Sequence, residues 1–151
     1  MHWHLLCFNF SSKEDMECIN NLPVFFVILI MQNKKTLVIG ASENPERYSY
    51  LAVEKLIAHQ HPVVAIGLKK GNIGTTVIET EKILFTDIDT VTLYINPTLQ
   101  PAYYEYIFSL HPRRIIFNPG SENDELAKQA TLKGIIAQEA CTLVLLSTGQ
   151  Y

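Results

Sequence analysis

The stretch Thr36–Ser49 reads T-L-V-I-G-A-S-E-N-P-E-R-Y-S. Its apolar run, Leu37 to Ile39, stops at Gly40; small and polar residues follow, and an apolar pattern at helical spacing begins near Tyr48. That is a strand, a tight loop and a helix start, the layout that holds a phosphate at the first crossover of a doubly wound sheet. A helix N-terminus leaves backbone N–H groups unpaired and carries about half a positive charge. Gly40 has no Cβ, which opens the backbone there to a diphosphate.

The rest of the chain repeats the alternation. A helix is predicted over Tyr48–His59, with Leu51, Val53, Leu56 and Ile57 as its apolar stripe. Strands are predicted at Val63–Ile66, Thr90–Ile95, Arg114–Phe117 and Ile135–Ala137. Lys69 to Gly74 reads as a basic, glycine-rich loop, and Thr75–Phe85 is ambiguous, with β-like pieces at Thr76–Ile78 and Ile83–Phe85. Leu99–Leu110 reads as a helix with Pro101 in its first turn, which the missing N–H tolerates. Ser121 is the expected N-cap of a helix running to Lys133 and stopping at Gly134, and Thr142–Thr148 closes the chain as a helix. The fold class is α/β: a Rossmann-like three-layer sandwich with a mostly parallel central sheet of about five strands. In such sheets ligands sit beyond the carboxyl ends of the strands. Gly40-Ala41-Ser42, Gly67-Leu68-Lys69, Asn96-Pro97 and Asn118-Pro119-Gly120 all fall at strand ends, where bulky residues would block a nucleotide.

The chain has 151 residues and a formal net charge of −3, with no basic stripe, so charge gives no sign of nucleic-acid binding. Its cysteines, Cys7, Cys18 and Cys141, are scattered and form no C-x-x-C, against a disulfide framework or zinc site and in keeping with a reducing cytoplasm. Residues 1–30 differ from the remainder, and the functional domain is expected to span residues 31–151. The apolar run Leu22–Met31 is shorter than the ~20 residues a bilayer span needs, and the residues before it are mainly acidic, unlike a signal peptide. The leader reads as an over-extended start or a poorly ordered tail; the rival is an added strand or a membrane-proximal anchor. His59, His61 and His111 lie at predicted helix ends or turns and read as surface or capping residues, and no metal site is expected.

The loop after the first strand is no P-loop and lacks a full G-x-G-x-x-G, since Ser42 and Asn44 stand where that pattern has glycines. An NAD site places Asp or Glu at the end of the second strand. Here Gly67-Leu68-Lys69-Lys70 offers no acid until Glu79. Two lysines suit an extra phosphate on the ribose, as in coenzyme A or NADP; the alternative is a solvated turn.

The chain from about Lys35 to Thr148 resembles the small single-domain CoA-binding proteins, which are similar in turn to the CoA-binding domain of the succinyl-CoA synthetase alpha subunit. The resemblance rests on V-I-G-A-S-E-N-P-E-R-Y-S at 38–49, L-Y-I-N-P at 93–97, I-I-F-N-P-G at 115–120 and E-A-C-T-L-V at 139–144. It implies coenzyme A, free or acylated, as the ligand. Gly40, Ala41, Ser42 and Arg47 would line the phosphate loop; Gly67 and Lys69 would sit by the adenosine. Ile95, Asn96 and Pro97 would flank the ligand, and Asn118, Pro119 and Gly120 would face the pantetheine or the pyrophosphate. Many relatives carry a V-N-P-like turn where this chain has Ile66-Gly67-Leu68, and Thr75–Phe85 matches the family poorly.

For a ligase of the synthetase type the resemblance implies a second domain with a phosphorylated His and a partner that grasps ATP, neither of which fits in the length after Met31, so no catalysis of the chain's own is expected. The alternative is an NADP-linked oxidoreductase or redox sensor. Cys141, just past the last strand, is the candidate redox residue, a thiol able to pair with that of CoA, against a plain buried cysteine. Apolar helix surface is compatible with a homodimer or another protein partner, and no membrane role is expected.

Overall fold

The run that begins at Thr36 becomes β1 (Thr36–Ala41), and Thr36 to Ile39 are wholly shielded from solvent. A strand buried on both faces needs a layer above and a layer below. The structure is a computed structural model that describes residues 33–151 together with Pro23 and Val24. The boundary expected at residue 31, and nearly all of the leader before it, lie outside these residues. Lys34–Tyr151 form one compact unit. After β1 come α1 (Tyr48–Ala58), β2 (Val63–Gly67), β3 (Gly71–Ile73), β4 (Thr76–Glu79) and β5 (Thr90–Leu93). A 3-10 segment (Pro97–Tyr103), α2 (Tyr104–Ser109), β6 (Arg114–Phe117), α3 (Asp124–Leu132), β7 (Ile136–Glu139) and α4 (Thr142–Ser147) complete the order.

The strands form one sheet, ordered β3-β4-β2-β1-β5-β6-β7. Every neighbouring pair is parallel except β3 with β4. The chain leaves β1 toward β2, then returns to build β5, β6 and β7 on the other side. Right-handed crossovers advancing in opposite directions put their helices on opposite faces. Val38, Ala65 and Ile78 accordingly pack with Val53 and Leu56 of α1 and Leu146 of α4. Leu37, Ile39, Val91 and Ile115 pack with Ile107 of α2 and Leu126 of α3. The winding reverses between β1 and β5, and this switch point fixes where a ligand crevice belongs.

The Rossmann-like α/β class holds, with more strands than expected. The basic loop is interrupted: Gly71–Ile73 pairs antiparallel with Thr76–Ile78, and Ile73 and Ile78 are fully buried. Each half of this hairpin is too short to show alternation in the sequence. Ile83–Phe85 is not a strand; the Tyr106 hydroxyl donates to the Ile83 carbonyl at 2.5 Å. Pro97 and Pro101 hold the next segment in a 3-10 coil, and α-helix begins only at Tyr104. Along α1 the buried residues are Ser49, Ala52, Val53 and Leu56, while Leu51 and Ile57 are partly exposed. The face against the sheet is thus built of smaller residues than the apolar stripe implied.

Two local readings are corrected. The N-cap of α3 is Asn123, whose side chain accepts from Leu126 N–H, whereas Ser121 is buried and its hydroxyl donates to the Asn118 carbonyl. His59 and His111 are exposed, but His61 is buried at the turn from α1 into β2. Its Nδ1 accepts the Lys34 backbone N–H at 3.1 Å, and its ring lies 4.8 Å from that of Tyr151. Burial, and then the charge of Lys34, hold its pKa below the ordinary histidine value.

Candidate functional site

Ala41 ends β1, and the loop 42–47 carries the chain into α1. The loop is braced from within. Ser42 Oγ accepts from Asn44 N–H (3.2 Å), Asn44 Oδ1 from Glu46 N–H (3.0 Å), and the Asn44 carbonyl from Arg47 N–H (3.0 Å). Arg47, exposed, occupies the N-cap of α1 with extended backbone, and its side chain makes no capping bond. The first turn of α1 holds no acid. An eleven-residue helix therefore presents its positive end with no side chain spent on it.

Gly40 serves a purpose other than the one expected. Its φ is +95°, and a Cβ there would lie 2.8 Å from Ile95 Cγ2 and from the Tyr94 carbonyl group. The glycine lets β1 bulge against the turn after β5, where Tyr94 N–H donates to the Ile39 carbonyl at 2.8 Å. Gly67 is likewise closed over: it pairs with Ala41, and a Cβ would overlap the Ala41 carbonyl oxygen. Past Ala41 the chain comes to the surface, Ser42 partly and Glu43 to Arg47 exposed. The Ser42 hydroxyl proton remains a donor for a ligand.

At the end of β5, Asn96 Oδ1 accepts from the N–H and the hydroxyl of Thr98 and so caps the 3-10 segment at Pro97. Ile95 is half-buried, and its carbonyl accepts from Gln100 Nε2 at 3.2 Å. Gln100, fully buried, also donates to the Ser121 carbonyl (2.7 Å) and accepts from Asn123 Nδ2 (2.9 Å). This one side chain ties the loop after β5 to the loop after β6.

Asn118 is buried, not open to a ligand. Its Nδ2 donates to Thr92 Oγ1 (2.7 Å) and the Leu93 carbonyl (3.0 Å), and its Oδ1 accepts Thr142 N–H at 2.8 Å. The residue joins β5, β6 and the start of α4, with its amide fully engaged in the interior. Pro119 and Gly120 beside it are exposed. Gly120 N–H is taken by Glu122 Oε2 at 2.7 Å, and Asp124 and Glu125 follow in the first turn of α3. Phosphate is electrostatically unwelcome on this side, whereas an uncharged chain is not. Cys141 is free, half-buried and the N-cap of α4.

A separate hollow of about 540 Å³ lies at the other edge of the sheet, among Ile57, His61, Val63, Val64, Thr76 and Phe85. It borders Val63 and Val64 at the amino end of β2 and Thr76, Val77 and Glu79 of β4, and no residue of β1 or β5 lines it.

Residues 34–147 match the family model described as "CoA binding domain". The chain belongs to this CoA-binding domain family. A crystal structure of an uncharacterized protein is similar at 47% identity and TM-score 0.77, over 79% of this chain and 98% of that one. A hypothetical protein from Pyrococcus horikoshii OT3 shares the fold at 23% identity and TM-score 0.66, over 84% of this chain and 92% of that one. The dinucleotide-forming acetyl-coenzyme A synthetase 1 of Ca. Korarchaeum cryptofilum, solved with phosphate and ADP, shares it at 13% identity and TM-score 0.58. That match covers 71% of this chain but 26% of the synthetase. No curated protein matches the chain. The NADP-linked alternative gains no support from these relatives. No helix among the described residues is long and apolar enough to cross a membrane.

In this family member, the residues singled out from the sequence gather at one edge in three conditions. Arg47, Lys69, Asn96, Pro119 and Gly120 are exposed; Gly40, Ser42, Ile95, Pro97 and Cys141 are partly so; Ala41, Gly67 and Asn118 are enclosed. Two further residues were missed. Tyr94 enters the switch point from the end of β5, and among the described residues its hydroxyl is the one buried side-chain polar atom without a partner. It leans toward Thr142, whose hydroxyl is already 2.8 Å from Thr92 Oγ1, and burial raises its pKa. Glu43 reaches out of the β1–α1 loop to Asn72 N–H at 2.8 Å, putting an acid beside the end of β2. No local pattern announces either one, since both contacts join residues far apart along the chain.

Proposed function

We propose that the chain binds coenzyme A, or an acyl-CoA, along the carboxyl edge of β2, β1 and β5, and carries or senses it without catalysing a reaction of its own. The carrying observation is the bare positive end of α1 with Arg47 at its N-cap, next to the switch point. The diphosphate rests on those amides and on Arg47, with the Ser42 hydroxyl as a further donor. The 3′-phosphoadenosine lies toward Lys69 and Lys70, both exposed past the end of β2. The pantetheine passes Asn96 and Pro97 toward Pro119 and Gly120. Of the two roles open to that last loop, the neutral arm is favoured, because Glu122, Asp124 and Glu125 surround it. Membership of the CoA-binding domain family supports the choice of ligand.

Titration calorimetry with CoA, dephospho-CoA, NADP and NAD tests this. CoA is expected to bind most tightly. Replacing Lys69 and Lys70 together by Ala should weaken CoA about fivefold to tenfold, the worth of two exposed charge contacts, and leave dephospho-CoA nearly unchanged. Selective binding of NADP would overturn the proposal; equal weakening of both CoA forms would remove the lysines from the phosphate.

A further inference from the structure

Glu43, one of two exposed carboxylates of the β1–α1 loop with Glu46, is a charged residue that a purely phosphate-binding loop does not explain. It lies two positions past the end of β1, yet its Oε1 accepts the backbone N–H of Asn72 in β3. Position 71 is a glycine, and a Cβ there would overlap the Glu43 carboxyl group where it now lies. β3, which follows β2 after Lys70 and pairs with β4, thus begins on a glycine where the acid crosses it. The sequence of β2's own end, Gly67-Leu68-Lys69-Lys70, contains no carboxylate. The fold brings one there from another loop.

In doubly wound sheets this is the place of the nucleotide ribose, whose hydroxyl groups are received by a carboxylate. An ionised carboxylate only accepts hydrogen bonds, so it reads a hydroxyl and repels a phosphate. One Glu43 oxygen is held by Asn72 N–H, which fixes the group's direction and leaves the second oxygen for a ligand. Lys69 and Lys70, immediately before Gly71, are exposed and carry the opposite preference. An acceptor and a pair of cations flanking one turn fit a ribose that bears one free hydroxyl and one phosphate, better than a free diol.

Resting on the CoA reading above, we propose that Glu43 is a specificity-determining residue that accepts the 2′-hydroxyl of the ligand's ribose while the lysines meet its 3′-phosphate. The test is calorimetric titration of the full chain with CoA and with 2′-deoxy-CoA, on the native protein, Glu43→Ala and Glu43→Gln. Glu43 is exposed, so neither variant threatens the core. The native protein should lose about tenfold in affinity when the 2′-hydroxyl is removed, the scale of one hydrogen bond to a charged group. Glu43→Ala should shrink that ratio to within about twofold, and Glu43→Gln, which keeps an acceptor oxygen, should fall between the two. Were Glu43 only a brace for the Asn72 turn, Ala would weaken both ligands equally and leave the ratio intact, which overturns the proposal. A native ratio near one with CoA still bound overturns this assignment alone. Failure of the native protein to bind CoA at all overturns it together with the proposed function.

Discussion

Two helices at the carboxyl edge of the sheet begin a short loop after a strand, α1 after β1 and α3 after β6, and their first turns are treated in opposite ways. The start of α3 is capped by Asn123, carries Asp124 and Glu125, and is locked through Gln100 and Tyr104 to the loop after β5. The start of α1 has no side-chain cap and no acid in its first turn, and Arg47 stands at its N-cap with Glu46 before it in the loop. Both helices have the same backbone dipole. What differs is whether the protein has already satisfied the positive end. At α3 the charge is answered from within and the junction is structural. At α1 it is left open, and that is where an anion is worth most. Glycine, proline and asparagine mark both loops equally in the sequence, so composition alone does not separate a ligand site from a brace.

The largest effect that sharpens this contrast is expected at Asn118. Replacing it by Ala leaves Thr142 N–H and the Leu93 carbonyl without their partner and should cost about 3 kcal/mol. Urea unfolding would read the loss; an unchanged midpoint would mean the loop after β6 is not the brace described here. Next comes Arg47→Glu. It should lower CoA affinity about thirtyfold, from a lost charge-assisted contact plus repulsion, with stability altered by less than about 0.5 kcal/mol. An equal binding loss from a change at Glu122 would erase the distinction between the junctions. Asn123→Ala should cost about 1 kcal/mol of stability and leave CoA affinity as it was, checked by parallel unfolding and calorimetry. The smallest effect belongs to Tyr48→Asp, which gives α1 the acid that α3 already has. The helix should gain about 0.5 kcal/mol while CoA binding weakens about threefold, a trade readable by thermal melting with and without ligand.

The long periodic elements were legible. β1, α1, β2, β6 and α3 stand within a residue or two of where apolar spacing puts them, because each buries a run of side chains long enough to show its period. The β3–β4 hairpin was not, since its strands are short and its stabilisation comes from burying Ile73 and Ile78 under α1's face of the sheet. His61 looked like a surface residue beside Pro62, and only its bond to Lys34 and its tilted ring contact with Tyr151 show that the chain folds over it. At the site, Arg47 and the helix start at Tyr48 could be read from the chain, while the inward turn of Asn118 could not. An asparagine after a strand looks the same whether its amide meets a ligand or two neighbouring strands.

By itself the sequence determined the layers of the fold and the first strand–loop–helix unit, because backbone preference and side-chain periodicity act over a few neighbouring residues. Strand order belongs to the tertiary structure alone: it placed the reversal of winding between β1 and β5 and carried Glu43 across to Gly71. It also filled the space at Gly40 with Tyr94 and Ile95. Those contacts join residues far apart along the chain. Their energies depend on which surfaces meet, and no local pattern encodes that.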